Sequence, residues 1–396
     1  MHSLARWSIV AGIAVVLCAC EMSQANFSQY PGFAAYFAAH PRAANLPTPG
    51  EQTLLRRYLP RYFLASGQPG PVDFYADYIA HGELRDEAGR LVSQQVTREI
   101  LNAFKSNPGA VFTYRPQRGP TQPRAYGRID KETVTVPTEA GPAAESFTFL
   151  TYNLVFAVSG LPAGLAPWKD ALVRLFASPE DWHQLDHYIS ATIALDAWLS
   201  PVAVTLQQHN HMHTFLLGAD IPLPADCRIL LEVAIRSNEL YPHADGRMKH
   251  RAVPMPDPAT MRYLMSGERR PVLAADDLTD NHIEVAPVLA FLRPEDAFYS
   301  FQGFLGERRW PRQRDGPPGA DYNTLPALKP KAMQMLAYYW RDGNPEDLAR
   351  FDRTWGAGRG PVAFAQAQAP VFFGERRRIG SDRNACSATG APSFEE

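Results

Sequence analysis

The sequence lacks a strong excess of either charge. It carries 39 Lys and Arg against 41 Asp and Glu, which gives a formal net charge of −2 at pH 7. A nucleic-acid partner would favour a marked basic excess, so we expect no nucleic acid among its partners. After Cys20 the sequence also lacks an apolar run long enough to span a bilayer. We therefore predict no further membrane segment.

The local signatures of common enzyme families are missing too. The chain has no G-x-S-x-G elbow, no P-loop, no H-E-x-x-H and no G-x-G-x-x-G. The H-x-x-D-H order at residues 183–187 only loosely follows the H-x-x-E-H of inverted zinc peptidases, with Asp where that pattern has Glu. Whether the protein is an enzyme is left open by these motifs.

Cysteine is scarce, with four residues in all, and two of them stand at the end of an N-terminal segment that is not part of the fold. Residues 1–19 contain Arg6, then a short apolar run, and end in Leu17-Cys18-Ala19 before Cys20. This pattern resembles a bacterial lipoprotein signal. The resemblance implies cleavage before Cys20, lipidation of Cys20 with acyl chains such as palmitate, and anchoring in the cell envelope. Since Glu21 is not the Asp linked to inner-membrane retention, it favours the outer membrane; the alternative is an ordinary secretory signal cut elsewhere.

The other two cysteines are Cys227 and Cys386. In an oxidising periplasm they would pair and close a very long loop. The alternative is two unpaired thiols, with Cys386 in a mobile tail. The sequence does not choose between them.

Composition and periodicity predict an α+β fold. Hydrophobic residues make up 45% of the chain, aromatic residues 11%, and there are 35 prolines, which is typical of β-rich structure with ordered loops. We expect a large antiparallel β-sandwich core with a mostly helical N-terminal portion and C-terminal helices. The predicted organisation is a signal peptide at 1–19, a tether at 20–47, a single domain at 48–375 (helical 48–110, sandwich core 111–326, closing helices 327–355) and a disordered tail at 376–396.

Histidine is concentrated in one stretch. Residues 181–217 hold five of the 11 histidines, together with Asp181. Read as two antiparallel strands with a hairpin at residues 199–201, the stretch brings His187 opposite His213 and beside His211, with His183 or Asp181 beyond them. Imidazole and carboxylate groups in such an arrangement suit Zn²⁺, Mn²⁺ or Fe²⁺. The alternative is that the histidines are incidental on half-exposed strands.

Three segments show a likeness to a known superfamily. They are D-W-H at 181–183, V-x-L-x-Q-H at 204–209 and S-N-E-L-Y at 237–241. Their order resembles the vacuolar-sorting-related and necrosis-inducing-like proteins, which share a β-sandwich. In the necrosis-inducing branch, residues around D-W-E bind a divalent cation. The resemblance implies a sandwich and a cation site.

A second likeness is to polysaccharide lyases of the jelly-roll type. Q-Q-H at 207–209, R-S-N-E-L at 236–240 and D-Y-N at 321–323 are similar to their strand motifs. This resemblance implies His209 as base and Tyr322 as acid for β-elimination, and Glu239 is a further catalytic candidate.

Our leading hypothesis is a lipid-anchored envelope protein with a histidine-lined cleft that binds a divalent cation or another polar ligand. A second hypothesis is an envelope hydrolase or polysaccharide lyase acting on a glycan. A third is a structural or assembly lipoprotein in which the histidines have no role.

Overall fold

In the computed structural model, the described residues are 46–115, 122–161, 163, 167–175, 178–208, 211–243, 249–254, 272–275, 278–279, 281–293, 296–306, 331–341, 344–356, 360–379 and 386. The predicted signal, Cys20 and the first part of the tether lie outside these residues, as do His209 and Tyr322.

The chain alternates short helices with three groups of strands. The strands are β1 Arg61–Ala65, β2 Gly82–Arg85, β3 Leu91–Ser93, β4 Val111–Tyr114, β5 Arg124–Thr138, β6 Gly141–Ser159, β7 His183–Leu195, β8 Pro201–Gln208, β9 His211–Leu216, β10 Leu230–Val233, β11 Leu240–Pro242, β12 Lys249–Pro254, β13 Val272–Ala275, β14 His282–Val285, β15 Val288–Ala290 and β16 Phe304–Leu305. The α-helices are α1 Pro49–Arg57, α2 Arg98–Ala103, α3 Pro167–Arg174, α4 Ala297–Ser300, α5 Lys331–Ala337, α6 Pro345–Gly356 and α7 Gly360–Ile379. A π-helical turn, Phe74–Tyr78, continues into a 3₁₀ turn, Ile79–His81. The predicted α+β class is therefore correct.

The largest sheet has eight strands in the order β13-β12-β9-β8-β7-β6-β5-β15. Its centre is an antiparallel meander from β5 to β9, in which β5 and β6 pair over their whole shared length. Among the described strands of this sheet, β15 at the edge is the one that pairs in parallel. Because consecutive strands are hydrogen-bonded neighbours, residues far apart in sequence line up in rows across the sheet.

A second sheet, in the order β11-β10-β1-β14, packs on one face of the large sheet. The two sheets share one apolar core, to which Tyr62 and Leu231 contribute from the small sheet and Leu150, Ile193 and Val204 from the large one. All five side chains are fully buried. This face of the large sheet is apolar along the meander.

The opposite face of the large sheet is covered in part by helices α5, α6 and α7. Their side chains form a separate core with Phe147, Phe149 and Leu216. A third sheet, in the order β16-β4-β2-β3, encloses another core together with the π-helical turn, α2 and α4. Tyr126 and Val155 of the large sheet reach into this third core.

The N-terminal portion is less helical than predicted. The sequence predicts one helix over residues 51–64, but α1 ends at Arg57 and β1 follows. Thr48 and Glu51 fix its start, since each accepts a hydrogen bond from the other's backbone N–H. Pro60 cannot continue a helix, and this favours the change to an extended strand. Residues 48–110 thus contribute β1, β2 and β3 to two sheets.

The C-terminal part contains a helix that the sequence analysis missed. Beyond α5 and α6, α7 extends to Ile379 and crosses the boundary predicted at residue 375. Its basic end, Arg376 to Arg378, suggested a disordered tail, but cations are favourable at a helix C-terminus. Arg376 also forms ion pairs with Glu145 and Asp196.

Cys227 and Cys386 form a disulfide and stand 159 positions apart in sequence. Cys386 is buried, and its carbonyl oxygen accepts hydrogen bonds from Tyr58 at 2.8 Å and Arg57 at 3.2 Å. Of the two alternatives that the sequence left open, the structure contains the pair.

Within the residues that the structure describes, no helix is both long enough and apolar enough to cross a membrane.

Candidate functional site: a buried polar band

Two neighbouring rows of polar side chains cross the helix-side face of the large sheet. Strand register aligns the first row as Arg128, Thr151, Thr192, Thr205 and Thr214. The second row aligns as Tyr126, Asn153, Ser190, Gln207 and Met212. Residues directly opposite each other on adjacent strands share a face, so each row is continuous. We call these two rows the polar band.

The polar band lies between two apolar cores. On one side the next row, which contains Phe149, Ala194 and Leu216, belongs to the core under the helices. On the other side Tyr126 and Val155 belong to the core of the third sheet. The band is therefore not a solvated edge but a polar layer inside the protein.

Some polar side chains of the band form hydrogen bonds with one another. The hydroxyl of Thr151 lies 3.0 Å from that of Thr192, and the hydroxyl of Thr205 lies 2.8 Å from that of Thr214. Ser190 donates to Oε1 of Gln207 at 3.2 Å. These pairs meet the rule that buried polar groups find hydrogen-bond partners.

Other atoms of the band are not satisfied. Oδ1 of Asn153 and Nε2 of Gln207 have no hydrogen-bond partner among the described residues. Each residue is 1% exposed, so bulk water does not reach the two groups. A buried group without a partner costs about 1–3 kcal/mol, which makes these atoms unusual in a folded protein.

The β5 end of the band carries a charged group. Arg128 pairs with Oδ1 of Asp130 at 3.3 Å, and its guanidinium carbon lies 5.7 Å from the centre of the Tyr299 ring. The Tyr299 hydroxyl and Oδ2 of Asp130 also lack partners among the residues that the structure describes. Burial raises the pKa of Tyr299, so its hydroxyl stays protonated and can donate a hydrogen bond.

Lys331, at the start of α5, belongs to the same group. It is 1% exposed, and burial lowers the pKa of its ammonium to about 8, while the nearby carboxylates of Asp130 and Glu132 act in the opposite direction. Glu132 accepts hydrogen bonds from the backbone N–H groups of Lys331 and Ala332 at 2.5 and 2.9 Å. Burial raises the pKa of the Glu132 carboxyl. The region therefore contains two carboxyl groups (Asp130 and Glu132), two basic side chains (Arg128 and Lys331) and the phenol of Tyr299.

Of the predicted histidines, His187 is linked to this region through aromatic contacts. It is 4% exposed, and its ring meets that of Phe298 edge-on at 5.5 Å, while Phe298 contacts Tyr299 at 4.6 Å. The pairing of β6 with β7 shifts at this point, so that residues 187 and 188 oppose Val155 alone. Such bulges redirect side chains and are frequent beside active sites.

The predicted opposition of His187 to His213 is wrong. Residues 203–217 do not form one strand, because β8 ends at Gln208 and β9 begins at His211 in a hairpin that pairs these two residues. His213 is buried, with Nε2 3.1 Å from the carbonyl oxygen of Trp340 and its ring stacked on Phe215 at 4.0 Å. His211 is half-buried at the start of β9.

The other predicted site residues lie elsewhere. Asp181 is half-buried in the turn before β7, and His183 begins β7 opposite Ser159. Glu239 accepts a hydrogen bond from the Tyr241 hydroxyl at 3.1 Å. In the described part of the chain, no three His, Cys, Asp or Glu side chains are grouped in a way that could hold a metal ion.

Comparison with known proteins adds no assignment. No family model, no curated protein and no solved structure matches the chain. The resemblances drawn from the D-W-H and Q-Q-H segments therefore stay predictions.

Sequence reasoning missed the residues of the polar band. Asn153 is the one amide in the mostly apolar, aromatic and β-branched stretch from Phe147 to Phe156, and this is the available signal, because burial of an amide demands partners. Arg128, Asp130 and Glu132 stand at alternate positions of β5. Their shared face becomes visible only once β5 is known to begin at Arg124.

Proposed function

We propose that the protein is a lipoprotein of the bacterial cell envelope, held at the outer membrane through Cys20, whose α+β domain binds a small polar ligand at the polar band. One observation carries the ligand part of this proposal. Asn153 and Gln207 bring buried, partnerless hydrogen-bonding atoms to one row of one sheet face, on either side of Ser190. A bound ligand would form hydrogen bonds with these atoms and so remove the free-energy cost of burying them without partners.

The size of the ligand follows from burial. The side chains of the band, among them Thr151 at 0% and Gln207 at 1% exposed, leave no open surface along which a polymer chain could lie. The ligand is therefore an ion or a small molecule with both donor and acceptor atoms. A divalent cation, the class that the histidines suggested, would bind Oδ1 of Asn153 but would leave the N–H donor of Gln207 without a partner.

The disulfide supports the envelope location. Disulfides persist in oxidising compartments such as the periplasm and are rare where thiols are kept reduced. The Cys227–Cys386 pair is buried against the domain, which suits a structural bond in an exported protein.

We further propose that the large sheet and the β11-β10-β1-β14 sheet together form a β-sandwich. Their shared core supports this, since side chains of both sheets meet in one apolar cluster. Gln208 also donates from the large sheet to the carbonyl oxygen of Leu240 in the small sheet at 2.7 Å. The helices on the far face would then add a third layer to the sandwich.

The ligand proposal is tested on the protein as purified, expressed with Cys20→Ser so that the chain is soluble and every described residue is kept. Native mass spectrometry measures bound small molecules, and elemental analysis measures Zn, Mn and Fe. We expect a bound species in the parent and its loss in an Asn153→Leu/Gln207→Leu variant. A Thr205→Val/Thr214→Val variant is the matched control, because it removes a satisfied pair from the same band and should keep the ligand.

Thermal unfolding with added Zn²⁺ or Mn²⁺ gives an independent reading, because a ligand that binds only the folded state raises the midpoint. A His187→Ala/His211→Ala variant tests the histidines in the same assay. If the parent carries no bound species and no added metal changes its midpoint, the polar band is structural and the proposal fails.

A further inference from the structure

A second candidate site lies at the opposite end of the meander from the bulge in β7. A cavity of about 770 Å³ opens there between the turn that joins β7 to β8, the end of β9 and the C-terminal half of α7. Its volume falls within the range of about 300–1,000 Å³ that is typical of small-molecule sites. The disulfide residue Cys386 contributes to its wall.

The wall of the cavity is mainly apolar. Val136, Val202, Leu216, Leu223 and Phe373 line it from different elements of the fold. The cavity is half-open, so water reaches part of this apolar lining, and removing apolar surface from water is favourable. A cavity of this volume and lining is therefore more stable when an apolar molecule fills it.

Three of the four charged residues in the wall are paired with one another. Arg376 forms ion pairs with Glu145 and with Asp196, the latter at 3.4 Å, and its guanidinium carbon lies 5.5 Å from the centre of the Phe147 ring. A ligand carrying its own charge would have to break these pairs. The wall thus favours a neutral ligand over an anion or a cation.

Two large apolar side chains in the lining are also solvent-accessible. Trp198 is 48% exposed in the turn and Ile379 is 38% exposed at the end of α7. The turn that carries Trp198 is held in place by Asp196, whose carboxylate accepts from the backbone N–H groups of Trp198 and Ser200 at 2.9 and 3.0 Å. The exposed apolar groups are therefore on a fixed rim and not on a loose loop.

We propose that this cavity binds a neutral, apolar ligand with the character of an aliphatic chain. The site is distinct from the polar band and does not depend on the ligand proposed there. Entry occurs past Trp198 and Ile379, and the aliphatic part of the ligand lies against Val202, Leu216 and Phe373.

The test uses the neutral fluorescent probe N-phenyl-1-naphthylamine with the Cys20→Ser chain. We expect saturable fluorescence enhancement in the parent and displacement of the probe by dodecanol. Dodecanoate should displace it no better than dodecanol, because the Arg376 guanidinium is already paired with two carboxylates. Probe binding that neither competitor reduces would overturn the proposal, and displacement by dodecanoate alone would overturn the neutral character of the ligand.

Substitutions in the cavity wall test whether the probe binds in this cavity. Val202→Phe fills the cavity and should weaken probe binding by at least about tenfold. Leu91→Phe is the matched control: Leu91 is 45% exposed on β3, outside the cavity wall, and its variant should bind as the parent does. If Val202→Phe fails to fold, which circular dichroism shows, Leu223→Phe fills the same space from the loop side. Unchanged probe affinity in a folded, cavity-filled variant would refute the assignment.

Discussion

The two faces of the eight-stranded sheet are built from the same strands but have different chemistry. Toward the small sheet, a representative row contains Ile129, Leu150, Ile193, Val204 and Phe215, all apolar. Toward the helices, the adjacent row contains Arg128 and four threonines. Alternation along each strand separates these rows by a single residue.

The difference separates the face that stabilises the fold from the face at which we propose that a ligand binds. The apolar face needs only complementary shape, because burial of its side chains is favourable without any partner atom. The polar face gains little net free energy from its hydrogen bonds and loses free energy at each unpaired atom. Polar rows in the interior that are not needed for stability indicate binding or specificity.

The largest expected effect comes from the apolar face. Ile193→Ala removes a fully buried side chain from the shared core and should lower the free energy of unfolding by about 2–5 kcal/mol. Chemical denaturation measures the change. Ile283→Ala is the control, since Ile283 is 51% exposed and its truncation should have little effect. Equal losses for both variants would contradict the assignment of the core.

The next largest change in the free energy of unfolding is expected at Lys331, beside the polar band. Its pKa of about 8 in the folded protein lies below its ordinary value of 10.5, so between these values the unfolded chain binds more protons and the free energy of unfolding rises with pH. Lys331→Met should be more stable than the parent at pH 7 by on the order of 3 kcal/mol.

Denaturation from pH 7 to pH 10 measures this dependence, and the gap between Lys331→Met and the parent should narrow toward pH 10. Lys131→Met is the control because Lys131 is exposed. A gap that stays constant with pH would show that Lys331 is not forced to be charged in an unfavourable site.

A smaller effect is expected within the threonine pairs. Thr151→Val leaves the hydroxyl of Thr192 without its partner and should lower the free energy of unfolding by about 1–2 kcal/mol. Thr151→Val/Thr192→Val removes both hydroxyls and should restore most of that loss. A double variant less stable than the single one would show that the pair itself stabilises the fold.

The smallest effect distinguishes satisfied from unsatisfied polar atoms. Asn153→Leu removes a partnerless buried atom and should leave the free energy of unfolding unchanged or raise it by about 1 kcal/mol in the ligand-free protein. Urea denaturation of ligand-free protein measures it. A clear loss of stability would mean that Asn153 is satisfied in solution.

Much of the fold follows from local patterns. The apolar run at 145–158 predicted β6, and the helical stripe at 97–105 predicted α2, because alternation and i, i+3 spacing are properties of neighbouring residues. The α7 helix was missed because its alanines and its internal Pro370 give little periodicity. A large antiparallel sheet was expected. Which strands pair within it was not predicted, since strand pairing joins residues that are distant in sequence.

The candidate site was harder to predict. The histidines led us to predict a site within residues 183–213. The position of a site on a sheet depends on the register of its strands. A hairpin at Gln208 and His211 places on different strands residues that a single strand would have kept on one face. Asn153 and Gln207 lie 54 positions apart and become neighbours of the same serine only through two strand pairings. No local pattern contains that information.

The polar band also specifies how the sheet is assembled. A shift of two residues between β6 and β7 keeps every side chain on its own face, and the apolar row accepts it, since Leu150 would meet Ala191 or Leu195 in place of Ile193. The same shift would place Thr151 against Ala194 or Ser190 and break its bond to Thr192. The threonine pairs therefore discriminate between the native alignment and alignments that the hydrophobic effect alone cannot tell apart.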